Sequence, residues 1–93
     1  MQDGIHNARI TKTFLGLEDH GMFIFNITVD YGGSQQGYQR VWWPSDLGPK
    51  INKIFQAAGV CSWEELPGKY IKVDVRDGLI YSIGHILKDQ WDV

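Results

Sequence analysis

A chain of 93 residues, 43% hydrophobic and with four each of Trp, Tyr and Phe, holds material for one domain with a core, which excludes intrinsic disorder despite eleven glycines. At this length folding buries roughly two-thirds of the unfolded surface, so the domain folds alone with little margin. A net charge of −2 argues against an affinity resting mainly on phosphate neutralisation, and the single cysteine excludes an intramolecular disulfide or a thiolate metal cluster.

Period-two patterning predicts a first strand over about Ile5 to Leu17. Ala8, Ile10 and Phe14 share one face and Arg9, Thr11 and Thr13 the other, whereas Leu15 and Leu17 take the opposite phase. A one-residue slip moves every side chain across the sheet, so a bulge or bend is expected beside Gly16. Glu18-Asp19-His20-Gly21 reads as a reversal. The run Met22 to Tyr31 then sets Phe23, Phe25, Ile27, Val29 and Tyr31 on one face and is expected to be the central strand. Gly32 to Gly37, without a charge or a branched side chain, reads as a mobile loop. A third strand, Tyr38 to Trp43, ends in Trp42-Trp43-Pro44. Adjacent strand residues face opposite ways, so both indoles cannot enter one core.

Leu47, Ile51, Ile54, Phe55 and Ala58 lie at helical spacing, with Pro49 expected in the first turn and Gly59 as the residue that ends the helix. Ser62-Trp63-Glu64-Glu65 has the capping-box pattern, in which Cys61 and Leu66 form a hydrophobic staple and Cys61 is a buried, inert thiol. After Leu66-Pro67-Gly68, strands are expected at Lys69–Arg76 and Leu79–Leu87. A three-residue loop, Arg76-Asp77-Gly78, is preferred for their hairpin because it pairs Val75 with Leu79, Val73 with Tyr81 and Ile71 with Ile83, collecting six apolar residues on one face. The order βββαββ matches a five-stranded barrel of the oligonucleotide-binding type, a mostly β domain with one helix spanning residues 1–93.

Catalytic chemistry finds little support in these residues. His6, His20 and His85 lack a second ligand at metal-binding spacing, so no metal and no cofactor are expected. Glu18-Asp19-His20 reads as a solvated turn, and no serine sits in a nucleophile-elbow pattern. The Gly32-Gly33 stretch precedes a strand rather than a helix and cannot set a phosphate on a helix N-terminus. A non-enzymatic protein is expected. The surplus is aromatic: Tyr31, Tyr38, Trp42, Trp43 and Trp91, with Arg40, are candidate partner-binding residues because Trp, Tyr and Arg are enriched at binding hot spots.

Several segments carry a resemblance: Ala8-Arg9-Ile10-Thr11 to Asp19-His20-Gly21, Tyr31-Gly32-Gly33 through Gln36-Gly37, Val60-Cys61-Ser62-Trp63-Glu64-Glu65-Leu66-Pro67-Gly68-Lys69, and Ile83-Gly84-His85-Ile86-Leu87-Lys88-Asp89 to Trp91. Together they resemble a family of small uncharacterised proteins encoded by phages and prophages. The tail in that family tends to read Trp-Phe-Asp, whereas here Asp92 directly follows Trp91. That family carries no assigned activity; with the small size, mild acidity, absent catalytic groups and surplus aromatics, the resemblance leads to the expectation of an accessory protein in the cytoplasm of a bacterial host that binds a host protein, such as a CRISPR–Cas defence effector. The alternative is a single-strand nucleic-acid-binding barrel, with Arg9, Lys12, Arg40, Lys69 and Lys72 along the backbone. It rests on a weaker architectural similarity to phage single-strand-binding proteins. No apolar run approaches the roughly 20 residues that cross a bilayer, so no membrane partner is expected. A homodimer pairing edge strands is one way to cover the extra aromatics.

Overall fold

Alternation of apolar and polar residues builds most of this molecule. The computed structural model describes residues 3–41 and 44–93, with the side chains of 39–47 outside that description. Its elements are β1 (Gly4–Leu17), β2 (Phe23–Tyr31), β3 (Ser34–Val41), the helix α1 (Pro44–Ala58), a single 3-10 turn (Trp63–Glu65), β4 (Tyr70–Arg76) and β5 (Leu79–His85). The expected order βββαββ therefore holds. The strands form one antiparallel sheet in the order β3-β2-β1-β4-β5. The sheet does not close by hydrogen bonds into the expected barrel, because no ladder joins β3 to β5.

The inner face holds Ala8, Ile10, Phe25, Ile27, Val29, Ile71, Val73, Val75, Ile80 and Ile83, all buried, and α1 adds Ile54, Ala57 and Ala58. Phe25 meets Tyr38 and Trp63 edge-on, at ring separations of 5.7 and 6.4 Å. Such edge contacts suit the ring quadrupole.

Two bulges set the faces, and both correct the sequence expectation. In β1 the register shifts between Ile10 and Lys12, so Thr11, not a position beside Gly16, is the extra residue. Leu15 and Leu17 thereby join the phase of Ile10, and Phe14 goes to the outer face instead of sharing one with Ala8. In β5 the turn has two residues, Asp77 and Gly78, at φ of 53° and 75°, pairing Arg76 with Leu79. Both positive angles suit a type I′ turn. The expected three-residue loop is absent because a bulge at Tyr81 does its work. Val75 pairs with Ile80 but Val73 with Ile83, so both isoleucines enter the core.

The presumed mobile loop after Tyr31 is likewise a tight turn. Gly32 and Gly33, at φ of 62° and 84°, connect Tyr31 to its cross-strand partner Ser34, and β3 begins there. Pro49 lies inside α1 rather than in its first turn, since the helix starts at Pro44. Gly59 ends it at φ 72°, with the amides of Gly59 and Val60 both donating to the Phe55 carbonyl.

The capping box forms in altered shape. The Glu65 carboxylate accepts from the Ser62 hydroxyl at 3.0 Å and from the Cys61 amide at 3.1 Å. Cys61 is exposed, not buried, and only Leu66 enters the core. No helix among the described residues is long and apolar enough to cross a membrane.

Candidate functional site

The open seam between β3 and β5 is filled by the chain after β5. Gln90 to Asp92 lies along the free edge of β5: His85 N–H donates to the Gln90 carbonyl at 2.8 Å and Asp92 N–H to the Ile83 carbonyl at 3.0 Å. Side chains alternate there as on a strand. Trp91 covers Gly84, where a Cβ would lie 2.6 Å from the indole, and donates its Nε1–H to Asp89 Oδ1 at 3.1 Å. Asp92 turns inward and is 1% exposed. Its carboxylate accepts from Tyr38 Oη at 2.7 Å and Ile83 N–H at 3.0 Å, and pairs with Lys50 Nζ at 3.0 Å. Lys50 Nζ also donates to the Asp92 carbonyl at 3.0 Å. At the other end of the seam, Gln36 Nε2 donates to the Gly78 carbonyl at 3.0 Å.

This arrangement revises the partner-binding set. Tyr38 is 1% exposed and Tyr31 8%, so both belong to the core and neither presents a contact surface. Burial pushes the Tyr31 phenol above its ordinary pKa, and its ring stands 5.4 Å from that of His6. Trp91 is half-buried against Gly84. Trp42 and Trp43 lie outside the described residues. So does the Arg40 side chain, although its backbone pairs with Phe25.

Two surfaces remain. The first is an overhang: the inner phase of the β1–β2 hairpin runs past the core, leaving Leu15, Leu17 and Phe23 exposed at 37, 65 and 38%, with Met22 beside them at 48%. The hairpin turn is internally tied. Glu18 accepts from the amides of His20 and Met22 and from the His20 ring at 2.9 Å. The His20 ring, then the Met22 amide, hold the Glu18 carboxyl below its usual range. The pair is a turn brace, with His20 in solvent.

The second surface is the outer face of the sheet. Alternation aims Asn7, Arg9, Lys12 and Phe14 of β1 outward with Asp30 and Thr28 of β2 and Tyr70, Lys72 and Asp74 of β4. Cross-strand pairing sets Arg9 between Asp30 and Tyr70, and Lys72 beside Asn7. Arg9, Lys12, Lys69 and Lys72 form no ion pair among the described residues, whereas Arg76 is committed to Asp74 at 3.0 Å and to the Tyr81 ring at 3.8 Å. Acids such as Asp3, Glu18, Asp19, Glu64, Glu65 and Asp77 sit in turns and at strand ends. Arg9, Lys12 and Lys72, distant along the chain, are therefore brought to one face by strand pairing, together with Asp30 and Asp74. A cleft of about 260 Å³ opens between Arg9, Asp30, Gly33 and Tyr70, and a second of about 320 Å³ between Lys12, Phe14, Asn26 and Thr28.

Tyr70 and Phe14 are the residues the sequence reading missed on this face. Tyr70 is signalled by its alternation with the apolar Ile71, Val73 and Val75, but Phe14 could not be placed without locating the bulge. Among the described residues no group of three His, Cys, Asp or Glu side chains is arranged to hold a metal ion. No protein-family model matches the chain, and no curated protein matches it.

Proposed function

We propose that this is a small phage or mobile-element accessory protein without catalytic activity, which acts by binding a host protein of the CRISPR–Cas defence class. The observation that carries the reading is the overhang of Leu15, Leu17, Met22 and Phe23. Contiguous apolar side chains held outside the core on a braced hairpin mark a protein-binding surface. Arg40 and Val41 end β3 opposite Phe25 and Ile24, near the turn of this hairpin; Trp42 and Trp43 come next in the sequence and with Arg40 complete the proposed contact set.

The test is plating of a CRISPR-targeted phage on bacteria that carry an active effector and express the protein. Wild-type protein is expected to restore plaques. The variant Leu17→Glu/Met22→Glu, both positions exposed, is expected to keep its circular dichroism spectrum and lose protection. Failure of the wild-type protein to restore plaques overturns the assignment to defence; undiminished protection by the variant overturns the surface.

A second reading is a single-strand nucleic-acid-binding domain, favoured by Arg9, Lys12 and Lys72 on the outer face, which form no ion pair among the described residues. The strand order, with the helix between β3 and β4, also supports an oligonucleotide-binding-type barrel opened at the β3–β5 seam. Such a fold hosts many functions, so the charges carry the reading and the topology does not.

A further inference from the structure

The outer face offers more than positive charge. Tyr70 is 63% exposed at the rim of the cleft beside Arg9, and Phe14 is 47% exposed with its ring tip resting on Gly16, where a Cβ would lie 3.1 Å from Phe14 Cζ. Each ring borders its own cleft, and each cleft has one cation that forms no ion pair among the described residues, Arg9 in the first, which Asp30 also lines, and Lys12 in the second. The two clefts lie on either side of the bulge at Thr11. Four regular strand steps separate Arg9 from Phe14, a span of about 14 Å. The acids facing this track are Asp30, which lines the first cleft, and Asp74, which Arg76 already engages.

Resting on the second reading above, we propose that the face holds a short single-stranded oligonucleotide segment with one base stacked on Tyr70 and another on Phe14, while Arg9 and Lys12 take the phosphates between them and Lys72 flanks the Tyr70 end. Aromatic rings flanking a pair of cations fit such a strand better than an acidic peptide, which has carboxylates for the cations but no planar groups for the rings. A duplex keeps its bases stacked internally and gains nothing from either ring. The track spans a few nucleotides, at the low end of the roughly 4–16 that a single small barrel domain covers.

The experiment is fluorescence anisotropy of a fluorescein-labelled twelve-nucleotide oligothymidylate, titrated with wild-type protein and with Tyr70→Ala, Tyr70→Phe, Phe14→Ala and Arg9→Glu. Both aromatic positions are exposed, so the variants are expected to keep the wild-type melting temperature within a few degrees. Each alanine is expected to weaken binding about 5- to 100-fold, the range for loss of one stacked base, with Tyr70→Phe close to wild type. With three cations near the strand and about 0.7 per contact, the log–log salt slope is near −2.1, or about a 20-fold loss between 50 and 200 mM salt. Absence of binding at 50 mM salt overturns both this inference and the second reading. Salt-sensitive binding that neither alanine weakens leaves that reading standing and overturns the stacking track. The variant Leu17→Glu/Met22→Glu is expected to bind oligothymidylate as the wild type does, separating this face from the hairpin overhang.

Discussion

Replacing Asp92 by Ala tests whether the segment after β5 is part of the fold. The Asp92 side chain is 0% exposed and faces the Tyr38 hydroxyl, the Ile83 amide and the Lys50 ammonium, which is itself 6% exposed. Truncation leaves a buried ammonium with only the main-chain carbonyl as its Asp92 contact. Removing one partner of a buried ion pair costs about 3–5 kcal/mol. A domain of this size holds about 5–14 kcal/mol in total, so the loss is a large part of it. At about 4–8 °C per kcal/mol the midpoint of thermal unfolding is expected to fall by about 12–40 °C. Thermal and urea unfolding followed by far-UV circular dichroism provide the assay. The double variant Lys50→Met/Asp92→Ala removes both charges and is expected to recover about 1–3 kcal/mol relative to the sum of the single losses. A midpoint for Asp92→Ala within about 3 °C of wild type would refute the reasoning, because the seam would then hold without the carboxylate.

Gly84→Ala places a methyl where Trp91 already lies, 2.6 Å from two indole carbons, and is expected to cost about 1–3 kcal/mol with a red shift of tryptophan emission as the ring is displaced. Gly33→Ala puts a side chain at φ 84° in the type I′ turn and is expected to cost about 1–2 kcal/mol, read as a lower urea midpoint at unchanged slope. Asp3 braces the other hairpin, accepting from the amides of Asp77 at 3.0 Å and Gly78 at 3.2 Å, and these two bonds hold its carboxyl below the ordinary 3.8. A depressed native pKa makes the unfolded chain the tighter proton binder, so this contribution is complete above the ordinary value and is lost as pH falls through the native one. Asp3→Asn is therefore expected to narrow its stability gap to wild type as pH drops below 4, measured as thermal midpoints between pH 2.5 and 6.

Legibility in the sequence follows the range of the interactions. Phe25, Ile27, Val29 and Tyr31 announce β2 because alternation is a local property of the pleat, and Gly59 announces the end of α1 because only a few residues decide that turn. The nearest misses were matters of register. Val75, Leu79, Tyr81 and Ile83 can be aligned on one face by a longer loop, and nothing local favours a bulge at Tyr81 over it. Tyr31 and Tyr38 read as hot-spot residues by type, yet the packed core takes both.

The succession of strands and helix along the chain was legible in the sequence alone, because backbone pleat and helical spacing act over a few residues. Tertiary structure decided where the bulges fall, which face carries Phe14, and what fills the seam. Tyr38 and Asp92 stand 54 positions apart and Lys50 and Asp92 stand 42 apart. Only the curl of the sheet brings these three together, and a buried carboxylate persists there because a hydroxyl, an amide and an ammonium meet it at once.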